Sequence, residues 1–122
     1  IMEHNTLPHH HGESMDELLT HIPDINDFQT VASVFKQLSD PTRVRIFWIL
    51  CHCEECVINI SAMMEMSSPA VAHHLRLLRT SGLIESRREG KETYYRASQS
   101  EKAQSLHRMI EQMMEISCIG TH

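Results

Sequence analysis

No stretch of this 122-residue chain approaches the roughly 18 unbroken apolar residues that a membrane-spanning helix needs. No positively charged segment leads into an apolar signal core, so a cytoplasmic protein without a membrane partner is expected. There is no internal repeat and no low-complexity tract, which excludes solenoid and fibrous architectures. Nor is there an excess of positive charge: the net charge is −5, which at first argues against a nucleic-acid partner. No nucleophile is accompanied by a base and a substrate-binding constellation, so no enzyme is expected.

What is present is unevenly distributed. Six basic residues (Arg76, Arg79, Arg87, Arg88, Lys91, Arg96) face three acidic ones between Ser68 and Arg96, while the rest of the chain holds five basic and thirteen acidic residues. A local basic face on an acidic body is compatible with selective binding to a polyanion. At this length one domain with a modest core is expected. It would occupy residues 23–117, preceded by a loosely ordered arm over 1–22 and followed by a tail over 118–122. The arm carries His9-His10-His11 and has room for a short helix around Met15 to Thr20.

From Asp24 the spacing turns helical, with Phe28, Val31, Val34, Phe35 and Leu38 on one stripe. Asp40-Pro41 reads as an N-cap followed by a first-turn proline. The next helix, through Val44, Ile46, Phe47, Trp48, Ile49 and Leu50, is apolar almost all round and so central to the core. Ile58 to Met64 predicts a short helix, Glu65-Met66-Ser67 a turn, and Ser68-Pro69 the start of a helix running to about Thr80 that buries Val71, Leu75 and Leu78. Together these make a helix-turn-helix. LIESRREGKETYYRAS then predicts a hairpin turning at Gly90, with Tyr94 and Tyr95 packing rather than stacking on bases. Lys102 to Ser117 predicts a final helix with Leu106, Met109, Ile110, Met113 and Ile116 on one face, packed on the domain or in a dimer seam. The fold expected is mostly α with a small β-hairpin wing: a dimeric winged helix-turn-helix.

Such a fold suits duplex DNA. A helix bearing Ser67, Ser68, His73, His74, Arg76 and Arg79 fits the major groove, where these side chains reach base edges. Arg87, Arg88 and Lys91 on the hairpin would lie against phosphates.

CHCEEC, residues 51–56, places three thiols and a histidine directly after the central helix. A disulfide between Cys51 and Cys53 would close too tight a ring, and a reducing compartment disfavours it. In a regular helix residues 51 and 53 point about 200° apart, so one core face cannot bury both. Two readings stand: small buried side chains, or soft ligands brought together by a chain that leaves the helix near Cys51. As ligands, Cys51, Cys53 and Cys56 suit Zn, Cd, Pb or As(III), with His52 or one of His9, His10 and His11 as a fourth donor. The same thiols could serve a redox or reactive-sulfur switch instead, through Cys53 with Cys56 or Cys118, provided that they are accessible and acidic.

SSPAVAHHLRLLRTSGLIESRREGKETYY resembles the recognition helix and wing of the ArsR/SmtB metal-sensing repressors, and LSDPTRVRIFWIL resembles the helix ahead of their metal cysteines. The resemblance spans about Phe28 to Met114. It implies a homodimer, joined through the C-terminal helix and one near the N-terminus, that binds a palindromic operator and lets go when a metal inducer binds. Cys51, Cys53 and Cys56 reproduce the Cys-x-Cys-x-x-Cys spacing of the arsenic-sensing members, but about one turn early. Cys56 falls where the family's first metal cysteine lies, and Ile58 where its partner would be. The family's second site, on the C-terminal helix, has Gln99, Glu101, Gln112 and Glu115 at its positions and is expected to be absent. His107 and Glu111, four residues apart on that helix, are a weak substitute for it and more often would be a surface pair.

Overall fold

A computed structural model describes residues 7–9 and 13–116. His10, His11, Cys118 and the other tail residues lie outside the described residues. Two compact units divide between Ala32 and Ser33.

The first unit contains helix α1 (Glu13–Leu19) and most of α2 (Ile25–Gln37). In α2 the expected stripe is only partly covered. Val34 is buried and Leu38 packs on the core, whereas Phe28, Val31 and Phe35 each keep about half of their surface exposed.

The second unit opens with α3 (Pro41–Leu50), whose start follows from its sequence. The Asp40 carboxylate accepts a hydrogen bond from the Arg43 N–H at 2.8 Å, and Pro41 occupies the first turn, where no N–H is needed. Ile46, Phe47 and Leu50 are fully buried, against Ile60, Val71, Leu75, Leu78 and Leu83. Each such side chain contributes on the order of 1.5–3 kcal/mol by leaving water. The helix is therefore central, although Trp48 and Ile49 remain half-buried.

Past Leu50 the chain tightens rather than straightens: the His52 and Cys53 N–H groups both donate to the Ile49 carbonyl, at 2.9 and 3.2 Å. Strand β1 (Glu55–Cys56) and helix α4 (Val57–Met64) follow. Glu65 then takes a left-handed conformation (φ 54°), and the Met66 N–H closes back on the Ser61 carbonyl at 3.0 Å. That is the turn of the helix-turn-helix. Helix α5 (Ser68–Thr80) is capped by Ser67 and followed by Gly82 in the left-handed region (φ 78°).

Strands β2 (Ile84–Glu89) and β3 (Glu92–Ala97) form the predicted hairpin, with Glu89 opposite Glu92 and Gly90 at φ 62°. The sheet has a third strand absent from the sequence reading: its order is β1-β3-β2, with Cys56 opposite Tyr94.

Helix α6 (Glu101–Met114) starts at the Ser100 cap and stops three residues short of the expected Ser117, because Glu115 adopts φ 58° and the Ile116 N–H bonds back to the Glu111 carbonyl. Its inner face is Ala103, Leu106, Ile110 and Glu111, while Met109 and Met113 face solvent in the single chain.

Candidate nucleic-acid interface and metal ligands

The recognition-helix residues divide into two groups. Ser67 and Ser68 are exposed, but their hydroxyls serve the helix: Ser67 Oγ accepts from the Ala70 N–H at 3.3 Å, and Ser68 Oγ lies 3.2 Å from Ser61 Oγ on α4. His73, Arg76 and Arg79 are exposed along α5. Arg76 and Arg79, with Ala72, Leu75, Thr80 and Tyr95, line an open groove of about 420 Å³ between α5 and β3.

His74 faces inward instead. Its Nδ1 accepts a hydrogen bond from Arg43 Nε at 3.2 Å and lies 4.0 Å from the Asp40 carboxylate. Burial holds its pKa below the ordinary histidine value; Asp40 opposes that shift, and Arg43 and His73 add to it. His74 therefore braces α5 against the start of α3 in this conformation.

On the wing, Arg88 and Lys91 are exposed near the hairpin turn, and Arg88 Nε donates to the Gly90 carbonyl at 3.2 Å. Arg87 is engaged differently. Its guanidinium donates to both Glu54 oxygens, at 2.9 and 2.7 Å, and also to Glu89, while lying 5.0 Å from the Tyr94 ring centre. These carboxylates raise the Arg87 pKa, and the hydrogen bond from Arg87 lowers that of Glu54. Glu54 was not singled out in the sequence. Its place just ahead of β1, beside the wing, became visible only once β1 was known.

The three cysteines occupy three environments. Cys51 ends α3 and is half-buried. Cys53 is exposed, and its thiol donates to the Ile49 carbonyl at 3.4 Å. Desolvation first, then the nearby Glu55, pushes the Cys53 thiol pKa up. Cys56 is buried at the junction of β1 and α4, where it is the N-cap residue. Among the described residues, the three sulfurs do not form a group of mutually adjacent donor atoms. The chain does leave the helix at Cys51, as convergence required, but β1 then carries Cys56 onto the sheet.

One group of adjacent donors does exist among the described residues: His52, His107 and Glu111. Glu111 is buried, with 7% of its surface exposed, and both histidines are half-buried, so the expected surface pair is an interior one. His52 Nε2 lies 3.2 Å from His107 Nε2 and 3.5 Å from Glu111 Oε2, and His107 Nε2 lies 3.2 Å from that same oxygen. Trp48 Nε1 donates to it at 2.9 Å.

Helices α4 and α5 followed at once by the β2–β3 hairpin define a winged helix, an architecture that sets one helix and an adjacent hairpin against duplex DNA. A family profile described as "Bacterial regulatory protein, arsR family" matches residues 40–86. A cadmium resistance transcriptional regulatory protein CadC homolog from Staphylococcus aureus is 38% identical over 91 residues, which are 74% of this chain and 75% of that protein. A transcriptional repressor SmtB homolog from Synechocystis is 35% identical over 85 residues, 70% of this chain and 64% of that one. The solution structure of the homodimeric winged helix-turn-helix DNA-binding domain of a possible ArsR-family regulator from Mycobacterium bovis superposes with a TM-score of 0.68 at 28% identity, covering 75% of this chain and 83% of that one. The chain belongs to the ArsR/SmtB family of DNA-binding transcription regulators. Among the described residues, no helix is long and apolar enough to cross a membrane.

Proposed function

We propose that the protein is a homodimeric repressor of a palindromic operator, released when a thiophilic ion (Zn, Cd, Pb or As(III)) binds thiolates of the 51–56 segment, chiefly Cys53 and Cys56. The observation that carries this reading is the position of Cys56. It pairs with the wing strand on one side and occupies the N-cap position of the first helix of the helix-turn-helix on the other. Two residues earlier, Glu54 holds the wing arginine Arg87.

An ion that drew the Cys53 and Cys56 sulfurs together would have to rearrange residues 53–56, and with them the β1–β3 pairing and the start of α4. A ligand that prefers the rearranged state lowers DNA affinity by the factor by which DNA lowers its own. One of the relatives is named for cadmium resistance, in keeping with a metal inducer. The exposed Met109 and Met113 on α6, and Phe28, Val31 and Phe35 on α2, support a homodimer by offering apolar surface for a second copy. Arg76, Arg79 and His73 are assigned to base edges, and Arg88 and Lys91 to phosphates.

A redox switch needs an acidic, accessible thiol. Cys53 is accessible, but its pKa is raised, so the metal reading is favoured. Metal binding also needs the thiolate, so the raised pKa makes metal affinity pH-dependent, but a bound cation itself drives the deprotonation and the shift does not prevent ligation.

The test is fluorescence anisotropy of the reduced protein on DNA from upstream of its own gene, against a scrambled duplex, with and without each ion. Specific binding reversed by one ion, and no longer reversed in Cys53→Ser/Cys56→Ser, supports the proposal. Specific binding indifferent to all four ions would return the cysteines to redox chemistry. Equal binding to scrambled DNA would sink the operator reading.

A further inference from the structure

We propose that His52, His107 and Glu111 form a second metal site, within one protomer, for a borderline divalent ion of the Zn(II) class. It uses no thiol and does not rest on the cysteine reading above. The sequence offers His107 and Glu111 only as a pair at helical spacing and does not join them to His52, which follows α3, 55 or more residues earlier.

The distances carry the argument. The three donor atoms form a triangle with sides of 3.2, 3.2 and 3.5 Å. Ligands bound tetrahedrally at about 2.0–2.1 Å stand about 3.3 Å apart, so the triangle has the dimensions of one face of a Zn(II) coordination shell. Hydrogen bonds account for the arrangement less well. A neutral imidazole places one hydrogen on one of its two nitrogens, so a pair of Nε2 atoms brings at most two protons to three edges, two of which end on the Glu111 oxygen. A single cation opposite the triangle could take one lone pair from each of the three atoms, and would bring positive charge to a buried carboxylate.

The supporting residues are those that a metal site uses. His107 and Glu111 are four apart and so project from the same face of α6. The Trp48 N–H fixes the Glu111 oxygen at 2.9 Å, and the Trp48 ring lies 4.4 Å from the His52 ring, centre to centre, which restricts that imidazole. Two imidazoles and one carboxylate suit Zn(II), Co(II) or Ni(II), and are too hard a set for the thiophilic selectivity assigned to the cysteines. Three protein donors leave a fourth position open to water. A bound ion would tie His52, just past the end of α3 and inside the 51–56 segment, to the C-terminal helix.

The chain has a single tryptophan, Trp48, and it touches the site, so the test has a built-in probe. The reduced full-length protein is titrated with Co(II) and, separately, with Zn(II), following visible Co(II) absorption and Trp48 fluorescence. In Cys53→Ser/Cys56→Ser, where the proposed thiol ligands are gone, we expect one equivalent per chain. The Co(II) spectrum of that variant should show ligand-field bands without thiolate charge transfer, accompanied by quenching of Trp48. Affinity should fall at least about tenfold in His52→Gln and in His107→Gln, each confirmed as folded by circular dichroism, and about tenfold in Trp48→Phe, followed by absorption, through loss of the hydrogen bond that orients Glu111. Zn(II) should raise the Tm of the parent protein and not that of His107→Gln. Parent-like Co(II) affinity in both histidine variants would overturn the site, as would a Co(II) spectrum that disappears with Cys53 and Cys56.

Discussion

Two regions of this molecule carry metal-ligating side chains, and they are organised in opposite ways. CHCEEC is contiguous in sequence, yet its thiols end in a half-buried, an exposed and a buried position, with β1 drawing Cys56 into the sheet. His52, His107 and Glu111 are scattered in sequence, yet their donor atoms lie within 3.5 Å of one another. The first region has ligands without a preformed site, the second a preformed site among residues that no motif joins. A site that must be assembled can do conformational work on binding, whereas one already assembled mainly stabilises what is there. The difference fits a sensor in the first region and a brace in the second.

The sharpest way to separate the two is to remove the thiols. Cys53→Ser/Cys56→Ser should abolish metal-induced release from DNA, a coupling of about 1–3 kcal/mol or some 5–150-fold in affinity. Co(II) binding at the histidines should be unchanged, as read by anisotropy and absorption on the same sample. If one substitution moved both readouts, the distinction between the regions would collapse.

The next largest effect is expected in the brace without metal. Trp48→Phe removes a donor to the buried Glu111 carboxylate and should lower stability by about 1–3 kcal/mol, measured by urea denaturation in chelator. Metal-induced release from DNA should survive this change.

Glu54→Gln tests the link from the cysteine segment to the wing. It weakens the hold on Arg87, so DNA affinity should rise severalfold, and the slope of log K against log salt should steepen by about 0.9 for one added phosphate contact. An unchanged slope would show that Arg87 stays withheld by Glu89.

The smallest effect concerns a histidine outside both regions. The folded-state pKa of His74 is lowered by burial, so below about 6.5 the unfolded chain binds a proton that the folded chain resists. Stability should be level above that pH and fall as pH drops toward the depressed folded value. Urea midpoints at pH 7.5 and 5.5 should show a smaller decline in His74→Gln than in the parent.

Much of the fold was legible because it is locally encoded. Asp40-Pro41 and Ser68-Pro69 announce two helix starts, the second with its cap one residue earlier than read, at Ser67; Gly90 announces the hairpin, and the spacing of Val71, Leu75 and Leu78 gives the buried face of α5. The two-residue strand β1 was not legible, since a pair such as Glu55-Cys56 has no periodicity to detect and exists only by pairing with β3. On α6 the apolar stripe is wider than the inner face. Reading it as one face placed Met109 and Met113 beside Leu106 and Ile110 and left His107 and Glu111 outside. In the fold Ala103, Leu106, Ile110 and Glu111 point inward, and the methionines do not. A buried glutamate is rare enough that helical spacing alone would not have predicted it.

The pairing of Arg87 with Glu54 has a consequence for how the protein searches. Every chromosome offers a vast excess of random sequence with the same phosphates as the correct site, and cations on the wing are blind to the difference. With Arg87 tied to two carboxylates, a random duplex meeting the wing as proposed would find Arg88 and Lys91 as the ready charges, and dwell time on wrong sequence should be shorter than with Arg87 released. Withholding one cation thus trades grip on any single stretch for the number of stretches sampled.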